Sequence, residues 1–344
     1  MARYSLHVSL TVLISIITLA HARTWAEDRD AYTWEDYKVE FNREYTDRSD
    51  EETRRQIFDA NLASIRAHNA GTKTWKRGVN HLTDATDEEL AKLRGYSKTA
   101  ARAARAREGF PPGYGRVPTD TSAKPSAVHH GGGKAGGDID YMHLMTPMKD
   151  QGMCGSCWSM GAAEAAEAQW ALKTGKLDTL SPQQFLDCTP NPHHCGQGDG
   201  PGGNWGSGGC DGGTPELAYA AAAKAGGLQT GWDYPYESYM GKDFGCRLGT
   251  VKLHRGKQAN VTGVFKTITN NYTDVYNALK TRGPLAISTD TTGWDSYESG
   301  VFDGCNQTHP DLDHVVLLAG AGTDPTTGLA YCTFLKPLTL VGQL

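Results

Sequence analysis

Two cysteines three apart, Cys154 and Cys157, sit in the polar turn Asp150–Ser159 directly before an alanine-rich run. Such a pair can be a disulfide, a metal clip, a redox dithiol, or a nucleophile beside a structural partner. A zinc site needs a second pair of ligands. His193, His194, Cys195 and Cys210 are available, but in an oxidising compartment those cysteines are expected to pair with each other or with Cys154. The nucleophile reading draws on more residues. From Trp158 to Thr174 the chain is rich in Ala, Glu, Gln and Leu, with Gly175 placed as a C-cap. Cys157 then stands at a helix N-terminus, where unsatisfied amides and the macrodipole favour an anion, so a lowered thiol pKa is expected. A thiolate also needs a base. Among twelve histidines, His314 is singled out because it immediately precedes the apolar run Val315–Ala319, which reads as a buried strand.

The rest of the chain sets the conditions for that chemistry. At 344 residues it can bury a sizeable core, and a net charge of −5 leaves no footprint for nucleic acid. Arg3 precedes the uncharged run Leu6–Ala20, and Ala20-His21-Ala22 has the small-x-small form of a signal cleavage site, so residues 1–22 are expected to be removed. No apolar run reaches the length of a membrane span. Passage through the secretory route implies that most of the eight cysteines are disulfide-bonded. Asn260, Asn271 and Asn306 begin N-x-Thr sequons and are candidate glycosylation sites. The glycine-rich stretch 196–213 is not followed by a helix in the order a phosphate cradle requires, and is expected to be a surface loop.

Composition divides the mature chain into three. Residues 31–95 are charged with helical spacing, 96–137 are a linker rich in Ala, Arg, Gly and Pro, and the cysteines begin beyond 138. Lys and Arg number 20 against 18 Asp and Glu over residues 23–137, and 13 against 21 from 138 onward. Within the first block Phe58, Asn61, Ile65 and Asn69 recur at three- and four-residue steps along one helix face. The linker has too few large apolar residues to fold alone and should be exposed and easily cut.

Taken together, these segments resemble the papain-like cysteine peptidases of the cathepsin L type. Asp50, Arg54, Phe58, Asn61, Ile65 and Asn69 resemble the ERFNIN pattern of their propeptides, with Asp in the Glu place; Gly78, Asn80, Leu82 and Asp84 resemble the companion GNFD pattern, with Leu replacing Phe. Cys154-Gly-Ser-Cys157-Trp158 matches the signature around the nucleophile, and Asp313-His314-Val-Val-Leu-Leu-Ala-Gly320-Ala-Gly322 resembles the segment that carries the family's histidine. The resemblance implies an α+β fold: a helical propeptide over 23–137, then a two-lobed domain over 138–344 with a helical lobe bearing Cys157 and a β-barrel-like lobe bearing His314. It also implies that the propeptide lies through the cleft in the reverse of substrate direction and acts as an intramolecular inhibitor.

The same resemblance assigns roles. Cys157, His314 and Gln151 would be catalytic, with the Gln151 side-chain amide and the Cys157 N–H holding the oxyanion. Gly212 and Gly213, in Gly209-Cys-Asp-Gly-Gly213, would pair with an extended substrate, and Thr214, Pro215, Asp313 and Val315 would complete the substrate subsites. Cys154 would pair with Cys210 and Cys188 with Cys246, leaving Cys195, Cys305 and Cys332 unassigned. No cofactor or metal is called for; peptides and proteins are the expected substrates, and a secreted or lysosomal monomer without a nucleic-acid or membrane partner is the expected form.

One departure matters. After Gly322 the family runs on to Lys-Asn-Ser-Trp-Gly, whose asparagine orients the imidazole; this chain reads Leu-Ala-Tyr-Cys-Thr-Phe-Leu-Lys336-Pro, with Lys336 in the asparagine place. The expectation is a product shortened by splicing or by its gene model, lacking the usual C-terminal strands. Two functions are compatible with these features: an endopeptidase precursor, or an impaired homologue that binds proteases as an inhibitor or decoy.

Overall fold

The computed structural model describes residues 23–96, 114–116, 138–189, 209–248, 259–268, 271–305 and 308–335. The chain falls into two compact units, Met1–Glu52 and Thr53–Leu344. In the first, helix α1 (Trp34–Glu40) opens with a capping box in which Thr33 and Asp36 satisfy each other's backbone amides. Trp34 stacks on both Tyr37 and Tyr45, at ring separations of 5.6 and 5.4 Å. The unit boundary falls in the first turns of α2 (Arg48–Asn69).

In the second unit α2 buries Phe58, Leu62 and Ile65, one apolar stripe at helical spacing. Its polar residues hold the segments that come after it in the chain. Asn69 exchanges two hydrogen bonds with the backbone of Arg77, at 2.7 and 2.9 Å, fixing strand β1 (Trp75–Arg77), and Asn61 Nδ2 donates to Thr83 O at 2.8 Å. Arg54 forms a fork on Glu89, with Nη2–Oε1 at 2.7 Å, and reaches Asp84 O at 3.1 Å. Glu89 is also the third residue of the capping box that starts α3 (Asp87–Leu93). Side-chain-to-backbone bonds thus supply here the order that a small core could not.

The linker, expected to lack structure, contributes one short strand, β2 (Tyr114–Arg116). Backbone pairing with a neighbouring strand needs no side-chain pattern, which is why composition missed it. Apart from Tyr96, the other linker residues lie outside the described part, as do Cys195 and most of the glycine-rich stretch. Then come β3 (Ile139–Asp140), α4 (Cys157–Thr174), α5 (Pro182–Cys188), α6 (Pro215–Ala225), β4 (Val264–Lys266), α7 (Tyr272–Arg282), β5 (Leu285–Thr289), β6 (Tyr297–Gly300), β7 (His314–Thr323) and β8 (Ala330–Leu335). Strand β4 is the parallel partner of β2, and β6 pairs antiparallel with β1.

Strand β7 organises the rest. Its residues 314–318 pair with β5 and 320–321 with β3 along one edge, while β8 pairs with 317–323 along the other, all antiparallel. Val315 through Ala319 are fully or almost fully buried, as expected of a strand covered on both faces. The covering layer is α4, whose Ala162, Ala163, Ala165 and Ala168 are buried. Gly161 lets that helix approach: a Cβ there would stand 2.9 Å from Val315 Cγ1. Helix α4 ends at Gly175 in the left-handed conformation, φ +71°, as its sequence predicts. Disulfides Cys154–Cys210 and Cys188–Cys246 tie the turn before α4 and the end of α5 to later segments, and Cys305 and Cys332 are free and exposed.

Candidate active site

Cys157 is the first residue of α4, and it is free and completely buried. The N-cap, Ser156, makes no side-chain cap because its hydroxyl is committed to Tyr236 Oη at 2.8 Å. Tyr236 in turn donates to Gln151 O at 2.8 Å, so one phenol braces both sides of the cysteine turn. Trp158, next in α4, is buried, with Nε1 donating to Gly209 O at 3.1 Å. Gln151 is buried, its Nε2 donating to Cys154 O at 2.8 Å and to Leu93 O at 2.9 Å.

The histidine comes from the sheet. His314 opens β7, opposite Thr289 of β5, and is 1 % exposed. The neighbouring Val315 amide lowers the pKa of the Cys157 thiol, and Val315 packs with Cys157 in one core cluster, which places the start of β7 against the start of α4. Asp313 is fixed through Oδ1 by the N–H and hydroxyl of Thr291, at 3.1 and 3.0 Å.

The cleft is occupied by the chain's own segment Leu93–Tyr96. The Gly95 amide is near enough to the Cys157 sulfur to favour its anion. Its carbonyl accepts from Gly213 N at 2.9 Å, and Tyr96 N donates to Asp313 O at 2.9 Å. Tyr96 and Gly213 form a parallel bridge. The approach is close enough to require glycine on both sides: a Cβ on Gly212, which has φ +113°, would lie 2.6 Å from Gly95 O.

This covering corrects one expectation. The thiol of Cys157, predicted to ionise readily, is instead pushed up to about 12 by burial, which outweighs the donated amides of Val315, Gly95 and Trp158. The helix terminus is where the sequence places it, but with water excluded the neutral thiol is the stable form.

Of the other sequence-predicted residues, Gly212 and Gly213 meet the bound segment, as does Asp313. Thr214 is buried and caps α6, accepting from Leu217 N at 3.4 Å, with Pro215 as the first helical residue. The Val315 side chain packs into the core against α4. Asn260 and Asn271 are exposed, and Asn271 also caps α7 through a 2.9 Å bond from Asp274 N. Asn306 and Lys336 lie outside the described residues. Sequence reasoning missed Tyr236, Thr291, Arg94 and Asp295. Each acts through a contact remote in sequence, and only the Tyr234-Pro-Tyr236 cluster hinted at any of them.

Comparison with known proteins agrees with this geometry. Residues 138–333 match the papain family cysteine protease profile, and residues 34–90 match the cathepsin propeptide inhibitor domain. The chain therefore belongs to the papain family of cysteine proteases and carries that family's inhibitory propeptide. Digestive cysteine proteinase 1 of Homarus americanus is 31 % identical over 301 residues, covering 85 % of this chain and 81 % of that protein. A cathepsin L-like protein of Caenorhabditis elegans is 29 % identical over 331 residues, 93 % and 87 % of the two chains. Among solved structures, digestive procathepsin L 3 of the Tenebrio molitor larval midgut superposes with a TM-score of 0.65 at 28 % identity, covering 87 % of this chain and 86 % of that one. The recombinant stem bromelain precursor gives a TM-score of 0.66 at 26 % identity, covering 87 % and 84 %.

Proposed function

We propose that this chain is the zymogen of a cathepsin L-like endopeptidase in which Cys157, His314 and Gln151 do the chemistry. The supporting observation is the seating of Leu93–Tyr96: a peptide lies across the Cys157 sulfur, between Gly213 on one side and Asp313 on the other, with a carbonyl already on the Gln151 amide. Once that segment leaves and water enters, the helix terminus and the His314 imidazolium stabilise the thiolate. The sulfur attacks the carbonyl carbon of the bound peptide. Gln151 Nε2 and the Cys157 N–H receive the developing oxyanion. His314 then passes its proton to the leaving amine, the C–N bond breaks, and water, deprotonated by His314, hydrolyses the thioester to regenerate the thiol.

Residues 1–22 act as a secretion signal and 23–137 as the removable propeptide. Asn260, Asn271 and Asn306 accept glycans on the way to a lysosome-like or extracellular compartment. Among the described residues no helix is long and apolar enough to cross a membrane. The cleft is built within one chain, which suits a monomer. Thr214, Pro215 and Val315 are assigned to the pocket for the second side chain before the cut. Labelling by an epoxysuccinyl probe after acid processing tests the reading: modification at Cys157 that is lost in His314→Ala supports it, and an unlabelled processed protein overturns it.

Lys336 in the place of the family asparagine favours a second reading, a protease-binding homologue that does not cut. Tight binding to an active cathepsin together with silence toward the probe would select it.

A further inference from the structure

Arg94 occupies a position in the cleft that neither the nucleophile nor the oxyanion donors explain. Its neighbours bracket it: the Leu93 carbonyl is on Gln151 Nε2, and Gly95 lies against Gly155 in the turn before Cys157, its amide near the sulfur. It therefore lies on the far side of the thiol from Gly213, which pairs with Tyr96. Because the bound segment runs opposite to a substrate, that side receives the leaving half of a cut peptide. The guanidinium reaches across to the sheet, with Nη2 3.2 Å from Asp295 Oδ2 and Nε 3.5 Å from Asp313 Oδ2.

Both acids are held in place by the peptidase domain or by the cleft-covering segment's scaffold. Thr291 binds Asp313 Oδ1 twice, which turns Oδ2 toward the cleft. The Asp295 backbone carbonyl accepts Asn80 Nδ2 at 2.6 Å. The side chains of Arg94 and Asp295 are each 30 % exposed and that of Asp313 16 %, so the ion pair is only partly hydrated. Arg94 is thus a cation already bound in the substrate channel, seated on two carboxylates that remain when the propeptide is removed.

We propose that Asp295 and Asp313 form a subsite selecting a lysine or arginine side chain in the residue immediately after the cut bond. Two carboxylates against one cation favour it over a neutral or acidic side chain both by attraction and, for glutamate, by like-charge repulsion. The inference rests on reading this cleft as the peptide-cutting site.

Two measurements test it. The acid-processed protein is given quenched peptides identical except for Arg, Lys, Gln or Glu after the cut. Arg and Lys peptides are expected to exceed the Gln peptide in kcat/KM by about tenfold, and Asp295→Asn to reduce that ratio to about two. A flat ratio in the wild type overturns the proposal. The second measurement needs no turnover. In the full chain carrying Cys157→Ser, hydrogen exchange at the Tyr96 and Gly213 amides is monitored in Arg94→Gln, Asp295→Asn and the double variant. Arg94→Gln is expected to speed exchange about threefold, Asp295→Asn by less because Asp313 still holds the guanidinium, and the double change no further than Arg94→Gln alone, as a coupled set requires. Additive effects overturn the proposal. If no peptide is cut while the coupling is intact, the peptidase reading fails instead, and the cation site stands on the exchange data.

Discussion

A Cβ placed on Gly95 would stand 1.8 Å from the carbonyl oxygen of Gly155, so the covering segment and the cysteine turn meet backbone to backbone. Nothing larger than hydrogen fits between them. Gly95→Ala must therefore lift the segment or distort the turn, at about 1–3 kcal/mol. The unprocessed variant is expected to react with an epoxysuccinyl probe at pH 7 at least about tenfold faster than the wild type. Equal rates would mean that the contact is slack.

The buried thiol leads to a second expectation. A Cys157 pKa near 12 leaves almost no thiolate at pH 8, so alkylation by iodoacetamide should be slower than at an ordinary cysteine by about three orders of magnitude. Cys305 and Cys332 are free and exposed in the same molecule and serve as internal references, although partial burial raises their thiols as well, by less than that of Cys157. Peptide mapping should find those two modified and Cys157 intact until the propeptide is removed, after which Cys157 should become the fastest of the three.

Glu164 makes stability depend on pH. It is 3 % exposed, and burial pushes its carboxyl from 4.5 up to about 8 despite the nearby Lys149 ammonium. Between those values the unfolded chain sheds a proton that the folded chain keeps, so folding stability falls as pH rises through that window and levels off above it. The slope is bounded at about 1.4 kcal/mol per pH unit. Glu164→Gln keeps the shape of the neutral acid, and its melting temperature should vary less between pH 5 and 8 than that of the wild type. Identical pH profiles would rule the carboxyl out.

Arg54 anchors the propeptide. Removing it takes the guanidinium from Glu89, which keeps its capping bond from Thr86 N, and one donor from Asp84 O, a loss of about 2 kcal/mol for a partly buried charged pair. Arg54→Ala should leave probe labelling of the processed protein unchanged while speeding acid processing of the full chain about tenfold or more. If processing keeps its rate, the fork that ties α3 to α2 does not govern release of the propeptide.

Much of this architecture was legible in the chain. The helix after Cys157, its glycine stop, the buried strand after His314 and the apolar stripe of α2 are local patterns, each fixed by residues within a few turns of one another. Arg54, Asn61 and Asn69 were recognisable as a set, but their partners were not: Glu89, Thr83 and Arg77 are chosen by the packed geometry. The same limit applies to Tyr236, Thr291 and Asp295. The ionisation of Cys157 was misjudged for a related reason: helix position can be read from sequence, whereas the exclusion of water by a segment some sixty residues upstream cannot.

The parallel bridge between Tyr96 and Gly213 explains how an inhibitor can share a chain with its protease. Polarity is the safety catch. The group of Gly95 that favours the sulfur's anion is its amide, while its carbonyl is turned to Gly213 N, so tightening this grip raises occupancy without creating a cleavable complex. A synthetic peptide that keeps this backward threading would inherit the same immunity, and affinity could be built into it without turning it into food for the enzyme.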